Sequence, residues 1–115
     1  MERIEVSELT GTDRDRWEEN IDFTPPVDAP YNMLRFVGGK TDGVLCLGVL
    51  GDALWIGRIF GRGVATYAVW LVVKTLAKRL GCKVIIGGGS DEGEPFYKAF
   101  GFFKVGEDWE YPIHG

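Results

Sequence analysis

The sequence has a single histidine, His114, and only two cysteines, Cys46 and Cys82. Both cysteines lie in apolar surroundings, VLCLGV and LGCKVII. Two are too few for a disulfide framework, and neither has the neighbouring ligands that a zinc site needs. Structural zinc and histidine-dependent catalysis therefore find no support, and no metal is expected. Long hydrophobic runs are also missing. The longest, Val64 to Val73, is about half of what a bilayer span requires, so a membrane partner is not expected. The opening Met-Glu-Arg-Ile-Glu-Val lacks the basic start and apolar core of a signal peptide. The expectation is a cytoplasmic protein in a reducing cytosol, that of an infected host included. No internal repeat is present.

What the chain does have is a globular balance: 115 residues, 45% hydrophobic and 26% charged, which fits one compact domain over residues 1–115. Glycine is in excess at 17 residues, about twice average usage. Fifteen of these fall between Gly38 and Gly106, without the every-third-residue period of collagen. The net charge of −4 is uneven. Residues 1–30 carry three arginines against nine acids, residues 31–90 eight basic residues against Asp42 and Asp52, and residues 91–115 two lysines against six acids. A basic middle between acidic flanks suits a local anionic ligand and argues against a nucleic-acid partner, whose phosphates the flanks repel.

The pattern along the chain predicts its elements. Arg3–Val6 alternates as a first strand, and Thr12 or Asp13 can cap a short polar helix to about Asn20, with Trp17 on its inner face. Residues 24–30, with three prolines, form a loop. Asn32–Val37, Val44–Leu50 and Ala53–Phe60 are apolar runs joined by short glycine-containing turns, which predicts an antiparallel meander. The near-continuous apolar character of VLCLGVL and ALWIG predicts strands covered on both faces. Val64–Leu80 reads as a long helix, apolar nearly all round at its start and stopped by Gly81. A strand at Lys83–Ile86, a short helix at Glu94–Phe100 opened by Pro95, and strands at Phe102–Val105 and Trp109–Ile113 complete the chain.

The strand–glycine–helix unit over residues 53–80 is the strongest chemical signal. Glycines at a helix N-terminus let backbone N–H groups approach an anion, and Arg58 or Arg62 adds positive potential; a diphosphate is the expected guest. The bland alternative is a tight strand–helix turn. Gly38-Gly-Lys-Thr41 is not a P-loop, because Leu34 stands where the first glycine belongs and no helix follows. Gly87-Gly88-Gly89 lacks the spacing of a dinucleotide fingerprint.

Arg58-Ile-Phe-Gly61-Arg-Gly63 resembles the Q/R-x-x-G-x-G/A signature of the GCN5-related N-acetyltransferases (GNATs), and Pro95-Phe-Tyr97-Lys-Ala-Phe-Gly101-Phe102 resembles that family's closing motif. The resemblance implies a single-domain α/β fold with a mixed, mostly antiparallel sheet flanked by helices. It also implies acetyl-CoA as co-substrate and transfer of an acetyl group to an amine of a small molecule or protein. Amides around Gly61, Arg62, Gly63, Val64 and Ala65 would hold the diphosphate, and those of Trp55, Ile56, Gly57 and Arg58 the thioester carbonyl. Tyr97 takes the position of the general acid that protonates the departing thiolate, and Ser90 that of an asparagine touching the cofactor. Two registers are open. Helix length counted back from Gly81 makes Arg62 the motif arginine, with Ala65 in place of a glycine and Tyr67 in place of the last small residue. The expected strand over Ala53–Phe60 supplies no glutamate base; Asp52, Glu92, Glu94 or a water are the substitutes. Trp17 and Trp109 fall in segments that wall the acceptor cleft in this family, while Trp55 and Trp70 read as core. The alternative is a catalytically inactive relative, the fold kept as a binding or structural module, for example in a phage. An open sheet edge at the last strands would permit a homodimer.

Overall fold

The computed structural model describes residues 4–13, 15–16, 31–88 and 93–113. The expected polar helix is represented there by helical residues 11–13 and 15–16, while Trp17, the proline loop, Ser90, Glu92 and His114 lie outside the described residues. Besides that helical segment, the described residues form nine elements in order: β1 (Glu5–Leu9), β2 (Tyr31–Gly38), β3 (Thr41–Leu50), β4 (Ala53–Arg62), α1 (Tyr67–Arg79), β5 (Val84–Gly87), α2 (Glu94–Ala99), β6 (Phe103–Val105) and β7 (Asp108–Pro112). They build a seven-stranded sheet of order β1-β2-β3-β4-β5-β7-β6. Every neighbouring pair is antiparallel except β4 and β5, which α1 joins as a crossover.

The meander forms where the glycine turns predict it. Gly39-Lys40 turns β2 into β3 and Gly51-Asp52 turns β3 into β4, with Gly39 and Gly51 at φ of 56° and 62°, a region that side chains with a Cβ disfavour. The β3 strand is covered on both faces, as its apolar run predicts. Leu45 and Leu47 belong to the large core, and Val44 and Cys46 join Leu9 and Met33 in a second cluster on the opposite face. Fully burying an aliphatic side chain of this kind contributes about 1.5–3 kcal/mol, so β3 is the most heavily anchored strand.

The helix α1 differs from its expected form at both its start and its surface. It begins at Tyr67 rather than Val64, because Thr66, in extended backbone, caps it by accepting a hydrogen bond from the Val69 N–H at 3.3 Å. Its buried stripe is Val69, Trp70, Val73 and Ala77, whereas Tyr67 and Leu71 face outward despite their apolar character. The helix ends where expected: Gly81, at φ 73°, turns the chain so that the Cys82 N–H reaches the Ala77 carbonyl at 2.9 Å.

Trp70 ties α1 to the end of the chain. Its indole stacks on Phe100 at 5.4 Å between centroids and meets Phe96, Phe102 and Tyr111 edge-on. The helices α1 and α2 thereby pack on one face of the sheet over a continuous core. Among the described residues no helix is long and apolar enough to cross a membrane.

Candidate functional site

The site is prepared by a defect in β4. Opposite β3, Arg58 faces Cys46 and Ile56 faces Leu47, so Gly57 is an extra residue with no opposite number. This is a β-bulge. On its other side β4 is paired with β5 only from Ala53↔Val84 to Ile56↔Gly87, and the last link is the Gly88 N–H donating to the Ile56 carbonyl at 3.1 Å. Beyond that point the two strands part. Gly57 thus sits at the apex of a V, with no residue opposite it in either ladder.

Tyr97 is built into the β5 arm of that V. A Cβ on Gly87 would strike Cζ, Cε1 and Oη of Tyr97, and a Cβ on Gly93 would lie 2.7 Å from its Cε2 and 3.0 Å from its Oη. Trp109 stacks on the same ring at 5.9 Å. Two bare backbones and an indole therefore fix the ring, leaving Tyr97 about 1% exposed. Burial, with a smaller push from the Asp108 carboxylate, raises the phenol well above its ordinary pKa, so it holds its proton throughout the neutral range. The Gly87–Gly93–Tyr97 fit was not read from the sequence; the signal available was a glycine inside a strand, which marks close backbone approach.

The second feature is the start of α1. The Thr66 carbonyl accepts from the Trp70 N–H at 3.0 Å and its hydroxyl takes the Val69 N–H. The N–H groups of Tyr67 and Ala68 precede the first helical acceptor and remain open at the positive end of the helix. No acidic residue stands in this first turn, and Arg62 closes the preceding strand with its side chain exposed.

The sequence-derived residues separate into groups. Gly61 and Arg62 belong to the end of β4, and Gly61 and Gly63 serve the β2–β3 hairpin. At φ 105° a Cβ on Gly61 would collide with the Asp42 carbonyl and Gly43, and at φ 65° a Cβ on Gly63 would meet Lys40 and Thr41. The buried Thr41 hydroxyl donates to the Gly63 carbonyl at 2.7 Å and locks this contact. Val64 is buried over Gly43, and Ala65 is exposed just before the cap. Arg58 lies mid-strand opposite Cys46, on the face with the second cluster, its Nε buried. Trp55 is half-buried and Ile56 buried beside the apex. Trp109 is a core residue against Tyr97. Of the acids considered as a base, Asp52 is exposed in the β3–β4 turn, and Glu94 is held ionised by Lys98 at 2.6 Å, which lowers its pKa. Among the described residues no group of His, Cys, Asp and Glu is placed to hold a metal ion.

A mixed sheet with one parallel junction, whose two parallel strands part where β4 bulges, defines a known fold. The chain has the fold of the GCN5-related N-acetyltransferases. It superimposes on the Escherichia coli protein YhhK bound to coenzyme A with a TM-score of 0.66, at 17% identity over 96% of this chain and 99% of that one. It also superimposes on the E. coli ribosomal-protein-S18-alanine N-acetyltransferase with a TM-score of 0.62, at 10% identity over 98% of this chain and 97% of that one. A tandem GNAT protein of the clavulanic acid biosynthesis pathway matches with a TM-score of 0.63 at 14% identity; 90% of this chain is covered, against 45% of that longer chain. No protein-family model matches the sequence, and no curated protein is significantly similar to it.

Proposed function

We propose that the protein is an acetyl-CoA-dependent N-acetyltransferase acting on an amine of a small molecule or protein. The observation that carries this reading is the conjunction at one point of the sheet: the bulged Gly57 at the apex of the β4–β5 split, with Tyr97 seated against Gly87 beside it. The Trp55–Arg58 segment supplies backbone donors for the thioester carbonyl and for the oxyanion that follows attack. The open amides at the start of α1, with those of Val64 and Ala65, receive the diphosphate, and Arg62 supplies its counter-charge. The start of α1 at Tyr67 supports Arg62 over Arg58, because the motif counted from Arg62 then ends on the first helical residue. Gly61 and Gly63 set the turn that aims these amides rather than touching the ligand.

The amine nitrogen attacks the thioester carbon, the C–N bond forms, and collapse of the oxyanion breaks the C–S bond. The electron pair leaves on sulfur, which takes the Tyr97 proton; the proton lost by the amine returns to solvent and Tyr97 is reprotonated from water. As a phenol Tyr97 carries its proton near neutrality, and the burial that raises its pKa makes donation depend on the charge developing on the departing sulfur. Calorimetry with acetyl-CoA tests the reading: saturable binding is expected, and absence of heat at high protein concentration would remove it. Tyr97→Phe is expected to lower kcat by about 10²-fold with little change in acetyl-CoA affinity. An unchanged kcat removes Tyr97 as the acid. Binding without transfer to any amine of a diverse panel would instead favour the inactive binding module.

A further inference from the structure

In the proposed transfer the amine must give up a proton, and β4 offers no glutamate to take it. The sheet ranks the other carboxylates by row. Ile56, Gly87, Trp109 and Lys104 stand side by side across β4, β5, β7 and β6. One residue further toward the split, the row becomes Gly57, Gly88, Asp108 and Val105, because β7 runs against β5. Among the described carboxylates, Asp108 alone is level with the apex. It is half-buried at the start of β7, where β5 has already ended. Two strand spacings, about 10 Å, separate its backbone from Gly57, and a thioester in the opening between β4 and β5 would be closer. Asp52 lies at the other end of β4, about 16 Å down the strand from Gly57. Glu110 belongs to the Ile86 row, and Asp42 and Glu94 are paired with Arg35 and Lys98.

Trp109 turns its indole onto Tyr97 on the helix-bearing face, so alternation along β7 places Asp108 on the opposite face. The phenol and the carboxylate thus flank the apex from the two sides of the sheet. They share one electrostatic neighbourhood, since the Asp108 charge helps to push the Tyr97 phenol above its ordinary pKa. The other titratable groups nearby are Lys104, Glu107 and Glu110 of the same hairpin. Lys104 holds its ammonium over the Trp109 ring at 5.5 Å, and Asp108 makes no ion pair with a described residue. Lys104, Gly106, Glu107 and Asp108 line an open hollow of about 470 Å³, which leaves the carboxylate within reach of solvent.

We infer that Asp108 is the general base of the transfer, an assignment that rests on the N-acetyltransferase reading. Its carboxylate takes a proton from the incoming ammonium, directly or through one water, and the freed electron pair on nitrogen forms the C–N bond. The adduct nitrogen then loses its second proton to water, and the C–S electron pair leaves on sulfur, which takes the Tyr97 proton. Asp108 returns its proton to solvent and Tyr97 recovers one from it, so one proton is released per turnover.

The test follows acetyl transfer to butylamine, lysinamide and a lysine-containing peptide from pH 6.5 to 9.5, with calorimetry of acetyl-CoA binding. Asp108→Asn is expected to lower kcat/KM for the amine about 10²-fold at pH 7 with an acetyl-CoA Kd within about twofold of wild type. The deficit is expected to shrink below about fivefold at pH 9.5, where more of the amine arrives without its extra proton. Asp108→Glu is expected to restore part of the loss at pH 7. A wild-type rate for Asp108→Asn at pH 7, or a deficit equal at every pH, overturns the assignment and leaves the acetyltransferase reading standing. A wild-type chain that acetylates none of the three amines overturns both.

Discussion

The strand β4 has two neighbours that treat it differently. β3 accompanies it from Leu50↔Ala53 to Asp42↔Arg62 and absorbs one bulge on the way, while β5 lets go after Ile56↔Gly87. The closed side is cemented by glycines at which backbones touch: Gly43 lies against the Phe60 carbonyl, Gly61 against Asp42, and Gly63 against Lys40. On the open side, glycines meet a side chain instead, since Gly87 and Gly93 receive the ring of Tyr97. The same residue type thus holds one seam shut and fits an aromatic ring into the other. A stable seam is what allows the opposite seam to stay open, because a half-paired strand would otherwise be free to shift register.

Substitutions can break this contrast, beginning on the closed side. Gly61→Ala puts a Cβ into the Asp42 carbonyl at a backbone angle that alanine resists, and is expected to cost about 3 kcal/mol or more in urea denaturation. A loss below about 1 kcal/mol would show that the seam is not held there. Gly87→Ala, on the open side, is expected to cost about 2 kcal/mol by displacing the Tyr97 ring. Gly87→Ala combined with Tyr97→Ala should recover part of that stability without recovering acetyl transfer. Failure to recover any would assign the cost to the backbone of β5.

Smaller effects sharpen the contrast further. Thr66→Ala removes the α1 cap and is expected to cost about 1 kcal/mol in thermal unfolding, with weaker acetyl-CoA binding as the first turn frays. The smallest effect is the pH dependence carried by Tyr97. Its folded pKa is raised, so its contribution is complete below the ordinary tyrosine value near ~10 and declines above it, as the unfolded chain ionises first. Between pH 9.5 and 11.5 the wild-type Tm should fall more steeply than that of Tyr97→Phe; parallel curves would show that the hydroxyl is not desolvated.

The meander, the crossover helix and the two closing strands could be read from apolar runs punctuated by Gly39, Gly51 and Gly81, because local turn chemistry and burial periodicity agree there. The strand limits were less legible: β1 runs from Glu5 to Leu9 rather than ending at Val6. The alternation of Arg3–Val6 stops at Ser7-Glu8, and pairing with β2 decides how far the strand runs. The start of α1 was misjudged because Val64 is apolar for another reason, burial over Gly43. Sequence also gave no means of separating glycines that face a ligand from glycines that face another strand. Gly61 and Gly63 match a ligand-binding spacing yet meet the β2–β3 hairpin, while Gly57, at the apex, has no distinctive sequence neighbourhood. Tyr97 was legible through its motif, but the surfaces enclosing it come from β5, β7 and the approach to α2, which no local window contains.

The single parallel junction also sets an order in which the molecule can come together. Residues 31–62 pair each strand with its chain neighbour, so this sheet can zip from its turns outward at little loop-closure cost. Ala53 finds Val84 only after α1 has folded back across the sheet. The β4–β5 contact is therefore among the most distant in sequence, together with that of β1 and β2. If the cleft takes acetyl-CoA as proposed, the ligand would clasp two strands that the chain itself joins only through a distant crossover.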